Sequence, residues 1–270
     1  MLLQRWITSI ALLPVLLVVL VKSDRLTFSI LISAVALLSA REYLKIIRPV
    51  CEEIADKKMQ ALFYLTCGAM PVAACIGSEP AVFSVITVNL ILAGCIALSD
   101  FARRAEVFHA VARQVLGVVY IPFFLTLLVM IHELDQGAVW IIWLLLVVFA
   151  GDTGAYYTGC YLGKRKLAPT VSPKKTFEGA AGGIAASIFM AVVFHVIVFG
   201  KLQYISIIFI SALLVAVTAQ VGDLFVSAMK RAGGIKDSGS LLPGHGGVLD
   251  RIDGLVFAVP VLYMLKVFVL

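Results

Sequence analysis

The sequence predicts an all-α, polytopic membrane protein with about nine transmembrane helices. Of its 270 residues, 61% are hydrophobic and 14% are charged, whereas a soluble domain needs more polar surface to cover its core. The apolar residues form long segments and lack the ~10-residue alternation of a membrane β-barrel. Because lipid offers the backbone no hydrogen-bond partners, these segments are predicted to be helices.

Nine segments are long enough to span a bilayer, for which about 20 mainly apolar residues suffice with help from the flanks. The first segment resembles a secretory signal peptide because a basic residue, Arg5, precedes it. No small-residue cleavage site follows, so the segment is predicted to be a membrane helix that is not cleaved off. The third and fourth are the weakest, since Pro71, Gly77 and Pro80 interrupt them. In order, the predicted spans are residues 6–21, 26–40, 61–76, 81–98, 115–131, 138–161, 179–199, 204–229 and 255–270.

The positive charges give these spans an orientation. Eighteen of the 22 Lys and Arg residues fall on the side of the N-terminus, and four fall on the other side. Since positively charged loops stay in the cytoplasm, the N-terminus is predicted to be cytoplasmic and the C-terminus external. The basic residues form no run of the kind that binds nucleic acid.

Two aspartates fall inside predicted spans, and the remaining acidic residues are predicted to lie mostly in loops. Asp152 lies about 21 Å along the sixth span and Asp223 about 28 Å along the eighth, at ~1.5 Å per residue. Asp250 and Asp253 precede the ninth span, so four acids are predicted in the cytoplasmic third of the bilayer. A carboxylate inside a span costs at least ~2.5–3.5 kcal/mol and usually faces a polar interior. For either acid alone, pairing with a neighbour or a place near the interface is an equally good explanation.

The eighth span ends in a polar face and a glycine-rich segment. Asp223, Ser227, Lys230 and Arg231 have the spacing of one helix face. Six glycines and Pro243 then preclude a long helix, and glycines let backbone N–H groups approach an anion. An ordinary turn would not need as many charged residues as this segment carries.

The loop after the sixth span carries five cations. Taken alone, these cations are best explained by the orientation rule and by attraction to anionic lipid. Beside the acids, they become candidate phosphate ligands. Carboxylates for a hard metal ion, cations and a glycine-rich loop are together the parts of phosphoryl or nucleotidyl transfer. Because these parts are predicted to lie at the membrane surface, they indicate that the substrates are a lipid and a soluble nucleotide.

Residues 227–253 resemble the signature of the phosphatidate cytidylyltransferase (CDP-diacylglycerol synthase) family, S-x-x-K-R-x4-K-D-x-G-x3-P-G-H-G-G-x-x-D-R-x-D, and meet every fixed position. Asp152-Thr-Gly-Ala-Tyr156 and Ser172-Pro-Lys-Lys-Thr-Phe-Glu-Gly179 also resemble family segments. The chain departs from the family at Val226, where many members have Glu. The resemblance implies transfer of CMP from CTP to phosphatidic acid, with Mg²⁺, room for a monovalent cation such as K⁺, and a homodimer in the cytoplasmic (inner) membrane.

The resemblance also implies residue roles. Residues 1–132 would form a scaffold and dimer region of about five spans. Residues 133–270 would form a catalytic region of about four, with cytoplasmic loops 162–178 and 230–253. The implied metal ligands are Asp223 and Asp250, with Asp253 supporting the cation site. Asp223 and Asp250 also belong to the implied catalytic set, together with Lys230, Arg231, His245 and Arg251. The substrate-binding set is Asp152, Ser172, Lys174, Lys175, Thr176, Ser227, Lys236, Asp237, Gly246 and Gly247.

Three other functions fit parts of the pattern. An ion-coupled transporter would use the intramembrane acids, but it favours acids near mid-bilayer and broken helices. An intramembrane aspartyl protease would pair Asp152 with Asp223 and leave the cationic loop unexplained. A CDP-alcohol phosphotransferase has a different acidic spacing and lacks the HGG element.

Overall fold

The computed structural model describes residues 17–50, 57–76, 79–102, 107–200, 204–239 and 246–270. These residues are almost entirely helical, as the sequence predicts. Residues 17–22 are helical and belong to the end of the first predicted span, most of which lies outside the described residues. The chain divides into two compact units, one of Met1–Glu133 with Met229–Arg251 and one of Leu134–Ala228 with Ile252–Leu270.

Four long helices form the main part of the first unit among the residues that the structure describes. α1 packs against α2 and against the second half of α4, and α2 packs against α3. Tyr43, Phe63 and Tyr120 are among its largest fully buried side chains. The helices are α1 (Arg25–Ile47), α2 (Lys57–Cys75), α3 (Glu79–Asp100) and α4 (Val107–Glu133), and a 3-10 turn, Arg48–Val50, follows α1.

The prolines are accommodated inside these helices or at their starts. Pro71 lies within α2, and Pro80 lies in the first turn of α3, where a missing backbone N–H costs little. Pro122 lies in a π-helical turn, Val119–Phe123, that joins the two halves of α4. Pro71 and Pro80 therefore do not break α2 or α3, and Gly77, the third predicted interruption, lies outside the described residues.

The second unit contains a pair of closely packed helices, α5 (Gly137–Leu162) and α6 (Phe177–Phe199). Small residues allow their backbones to approach: a Cβ at Gly154 would lie 2.5 Å from that of Ala186. The unit also contains most of α7 (Ile205–Ala232) and of α8 (Leu249–Phe268).

A small β-hairpin separates α5 from α6, which the prediction of an all-α protein did not include. β1 (Lys166–Ala168) pairs antiparallel with β2 (Ser172–Thr176), with Lys166 opposite Thr176 and Ala168 opposite Ser172. The hairpin lies in the predicted cytoplasmic loop 162–178. Periodicity does not reveal it, because its strands are short and mostly polar.

Five helices in the described part of the chain are long and apolar enough to cross a membrane: Glu79–Asp100, Val107–Glu133, Gly137–Leu162, Phe177–Phe199 and Ile205–Ala232. This finding supports a multi-pass membrane protein, but it does not confirm about nine spans. The predicted boundaries agree to within three residues for four of these helices, whereas the predicted fifth span, residues 115–131, begins eight residues after the start of Val107–Glu133. For example, the predicted sixth span, residues 138–161, corresponds to Gly137–Leu162.

The packing of α5 on α6 leads to a stability prediction. Gly154→Ala would place a methyl group against Ala186 and the carbonyl oxygen of Gly182. We expect it to lower the free energy of unfolding by about 1–3 kcal/mol, the usual cost of overpacking. Thermal unfolding in detergent measures the effect. Gly94→Ala in α3 is the matched control, since a Cβ there meets nothing within 4 Å. Equal melting temperatures for the two variants would contradict the close approach.

Candidate functional site

The first unit places a cation and two backbone amides around Asp250, in the first turn of α8. Its Oδ1 lies 2.7 Å from Nζ of Lys230. Its Oδ2 accepts hydrogen bonds from the backbone N–H groups of Ser238 (2.9 Å) and Gly247 (3.1 Å). The side chains of Lys230 and Asp250 are only 13% and 9% exposed. The carboxylate is therefore held from three directions.

The same contacts keep Asp250 ionised. Burial by itself would raise the pKa of this carboxyl, but hydrogen bonds from Lys230, Ser238 and Gly247 outweigh it and lower the pKa. Asp250 precedes the apolar ninth predicted span, residues 255–270, and so lies outside that segment. A carboxylate that remains charged at neutral pH can accept a cation or orient a basic partner.

Two glycines make this geometry possible. Gly246 has φ +83°, and a Cβ there would lie 3.0 Å from Oδ2 of Asp250. Gly247 carries the N–H that donates to Asp250, and a Cβ there would collide with the side chains of Ser238 and Glu42. The helix break predicted from glycine content is confirmed, since α7 ends at Ala232 and α8 begins at Leu249.

Glu42 belongs to this cluster, and the sequence did not indicate it. Glu42 is an exception to the prediction that acids outside the spans lie mostly in loops, because it lies in α1 and is 6% exposed. Its carboxylate accepts hydrogen bonds from the hydroxyl of Ser238 (2.8 Å) and from the N–H groups of Val248 (2.9 Å) and Leu249 (2.8 Å). The only local signal is an acid two residues past the end of a predicted span, residues 26–40.

The second unit contains a cavity of about 350 Å³ that charged, polar and apolar side chains line together. Nζ of Lys175 lies 2.5 Å from Oδ2 of Asp223, and the two side chains are 28% and 31% exposed. The hydroxyl of Ser227 lies 3.4 Å from Oδ1 of Asp223, one helical turn away. The charged and polar lining residues are Asp152, Tyr156, Lys174, Lys175, Thr176, Gln220 and Asp223.

The β-hairpin positions the two lysines of this cavity. Lys174 and Lys175 lie in β2, and Thr176 ends that strand and caps α6 by accepting a hydrogen bond from the N–H of Gly179 at 3.1 Å. Glu178 anchors the start of the hairpin, because its carboxylate accepts from the N–H groups of Lys164 and Arg165. Hydrogen bonds at both ends of the hairpin therefore hold the strand that carries Lys174 and Lys175.

The predicted site residues therefore divide into three groups. Contacts within the first unit join Lys230, Asp250 and Gly247, with Gly246 beside them. The cavity of the second unit joins Asp152, Lys174, Lys175, Thr176 and Asp223, with Ser227 bonded to Asp223. The contacts described above do not include six other predicted residues of the described part: Ser172, Arg231, Lys236, Asp237, Arg251 and Asp253. His245 lies outside the described residues.

The chemistry of these acids can be compared with what Mg²⁺ requires. No three His, Cys, Asp or Glu side chains form a ligand cluster among the residues that the structure describes. Mg²⁺ usually takes only one or two carboxylates and completes its shell with water and phosphate oxygens. An ionised carboxyl has about four acceptor positions, of which the contacts above use three on Asp250 and two on Asp223. Both acids thus have the oxygen chemistry that Mg²⁺ prefers.

Comparison with known proteins places these observations in a family. Residues 3–269 match a family model described as "Cytidylyltransferase family". A phosphatidate cytidylyltransferase of Bacillus subtilis is 42% identical over 164 residues, which cover 60% of this chain and 61% of that protein. One of Thermotoga maritima is 38% identical over 164 residues, covering 59% and 60%. One of Staphylococcus haemolyticus is 36% identical over 186 residues, covering 68% of each chain. The first two matches span about three fifths of those relatives' lengths.

Proposed function

The chain belongs to the cytidylyltransferase family, and on that premise we propose that it is a membrane-bound phosphatidate cytidylyltransferase. It transfers CMP from CTP to phosphatidic acid and forms CDP-diacylglycerol and pyrophosphate. The observation that carries this proposal is the arrangement around Asp250, where Lys230 and two backbone amides of the glycine-rich segment converge. Such an arrangement suits chemistry on phosphates. The names of the relatives supply the substrate class.

In the proposed reaction, a phosphate oxygen of phosphatidic acid attacks the α-phosphorus of CTP in line. The bond from the α-phosphorus to the bridging oxygen breaks, and pyrophosphate leaves with that electron pair. Phosphatidic acid is already ionised near neutral pH, so the nucleophile needs no strong general base. The main task of the protein is to offset repulsion between two anions and to orient them.

We assign the cationic residues to this task. Lys230 provides positive charge beside Asp250, and Gly246 and Gly247 are proposed to let the backbone approach a phosphate closely. Arg231, Lys236, His245 and Arg251 are proposed to surround the phosphates, with Ser227 and Asp237 assisting. In the second unit, Lys174 and Lys175 are proposed to contact a substrate phosphate, with Asp152, Ser172 and Thr176 beside them.

Asp223, Asp250 and Asp253 are proposed to hold the metal. When bound, Mg²⁺ supplies Lewis-acid stabilisation of charge on the phosphate oxygens, and a monovalent cation such as K⁺ is proposed near Asp253. Asp250 orients Lys230 in the structure through their 2.7 Å contact. The side chain of Asp253 accepts a hydrogen bond from the N–H of Gly254 at 2.8 Å, which fixes one of its oxygens.

The cellular setting is proposed with the reaction. The apolar helices suit a multi-pass membrane protein. We propose the cytoplasmic (inner) membrane, about nine spans, a cytoplasmic N-terminus and active site, an external C-terminus and a homodimer. The division into a scaffold of residues 1–132 and a catalytic region of residues 133–270 belongs to this proposal. Membership of the cytidylyltransferase family favours the enzyme over an ion-coupled transporter, which would need no nucleotide.

The proposal is tested by assaying purified protein with radiolabelled CTP, phosphatidic acid and Mg²⁺. We expect CDP-diacylglycerol to form only when phosphatidic acid is present, and we expect EDTA to abolish its formation. Diacylglycerol in place of phosphatidic acid is the control, since it lacks the attacking phosphate. Label that enters lipid with diacylglycerol, or turnover that persists in EDTA, would contradict the lipid substrate or the metal respectively.

A further inference from the structure

Glu42 connects helix α1 to the two described parts of the glycine-rich segment, defined here as residues 233–248. One carboxylate oxygen accepts hydrogen bonds from the hydroxyl of Ser238 and the N–H of Leu249, both at 2.8 Å. The other oxygen accepts from the N–H of Val248 at 2.9 Å. These donors lie 196 to 207 residues away in sequence. The side chain therefore fixes one part of the segment against the other.

Ser238 joins Glu42 to Asp250. Its hydroxyl donates to Glu42, and its backbone N–H donates to Oδ2 of Asp250 at 2.9 Å. Gly247, which also donates to Asp250, directly precedes Val248. Two of the three groups that hold the Asp250 carboxylate are thus attached to backbone that Glu42 holds. A shift of Glu42 would move both.

Glu42 also completes the start of α8. The first N–H groups of a helix have no partner within it and are usually satisfied by a Ser, Thr, Asp or Asn next to the helix. Here the N–H groups of Val248 and Leu249 donate to a buried acid on another helix. Its negative charge suits the positive end of the helix dipole. Removing it would leave buried donors unsatisfied.

We infer that Glu42 is a positioning residue for Asp250 and for the N–H groups of Ser238 and Gly247 that hold its carboxylate. It acts through Ser238, Gly247 and Val248 and contacts neither substrate itself. The inference rests on the proposed function, because it assigns Asp250 and the segment to the reaction. If Glu42 has this role, α1 contributes to turnover, although the sequence predicts only a scaffold role for the N-terminal half.

Two substitutions test this role. Glu42→Gln keeps the shape and one acceptor oxygen, and we expect kcat to fall by about tenfold at saturating CTP and phosphatidic acid. Glu42→Ala removes both acceptors, and we expect a fall of about 100-fold, the cost of a small misplacement at a reacting centre. Both values are normalised to folded protein, measured by thermal melting. Because Glu42→Gln is isosteric, it provides the test if the alanine variant does not fold.

Asn89→Ala is the matched control for loss of a buried hydrogen bond in the same unit. Asn89 in α3 is 3% exposed and donates to the hydroxyl of Thr66 at 2.7 Å, away from the glycine-rich segment. We expect it to lower the melting temperature without changing kcat per folded molecule. If a Glu42 variant loses stability but keeps kcat within twofold of wild type, Glu42 is only structural and the inference is wrong.

Hydrogen–deuterium exchange gives a readout independent of turnover. The amides of Val248 and Leu249 should exchange slowly in wild type and faster by about tenfold or more in Glu42→Ala, since their acceptor is gone. Unchanged exchange there would overturn the contact on which the inference depends. Failure of the proposed function looks different, because wild-type protein would then form no CDP-diacylglycerol at all.

Discussion

Asp250→Asn is expected to abolish CDP-diacylglycerol formation, with kcat reduced by about 10³-fold or more in protein that still folds. The amide keeps the shape of the side chain but loses its charge. One carboxylate oxygen also becomes an NH₂ group, which is a donor. Whichever way the amide is turned, this NH₂ group faces another donor, either Nζ of Lys230 or the N–H groups of Ser238 and Gly247. The variant thus loses the orientation of Lys230 and a proposed metal ligand together. Steady-state turnover of labelled CTP, normalised to folded protein, measures the loss.

Asp24→Asn is the control for this experiment. Asp24 precedes α1 and accepts a hydrogen bond from the hydroxyl of Thr27 at 2.5 Å, so it is an aspartate next to the start of a helix without any proposed role in the reaction. We expect near wild-type kcat. If Asp250→Asn retains near-normal turnover, Asp250 is neither a metal ligand nor essential for placing Lys230.

Asp223→Asn should produce a loss of the same order, by a different route. Asp223 pairs with Lys175 at 2.5 Å in the cavity of the second unit, where Lys174 and Asp152 also lie. Removing its charge releases Lys175 and removes a second proposed metal ligand, so we expect kcat to fall by about 10³-fold.

Lys175→Ala removes only the partner of Asp223. We expect a smaller loss of kcat together with a raised KM for the substrate whose phosphate Lys175 is proposed to contact.

Thr218→Ala on the same helix is the matched control. Its hydroxyl donates to the carbonyl of Leu214 within α7, and it does not line the cavity. Its kcat should equal that of wild type. Comparable turnover in Asp223→Asn and Thr218→Ala would remove Asp223 from the proposed mechanism.

Hydropathy and charge predicted most of the helices, because a spanning segment is long and its signal is local. The predicted eighth span, residues 204–229, appears as Ile205–Ala232, and the predicted second, residues 26–40, appears within Arg25–Ile47. Where a predicted span is much shorter than its helix, the missing residues include charged or polar ones, as in residues 41–47 of α1. A charged residue lowers hydropathy but does not end a helix, so α1 continues through Arg41, Glu42 and Lys45.

The candidate site was predictable where its residues are close in sequence. Asp250, Gly246 and Gly247 lie in one segment, and the family signature contains Lys230 as well. The contact of Glu42 with Ser238 was not predictable, because it joins residues 196 apart and a lone acid near the end of a span has no distinctive pattern. The β-hairpin carrying Lys174 and Lys175 was missed because β2 is only five residues long, four polar residues and a proline, and shows neither strand nor helix periodicity.

The position from which label enters the lipid is the most direct test of the central claim, that the α-phosphorus of CTP is attacked by phosphatidic acid. Purified protein is incubated with phosphatidic acid, Mg²⁺ and CTP labelled at either the α- or the γ-phosphate, and the lipid fraction is counted. Label should enter lipid only from the α-position, while the γ-label should leave as pyrophosphate. Transfer of the γ-label to lipid, or no lipid label from either position, would contradict nucleotidyl transfer.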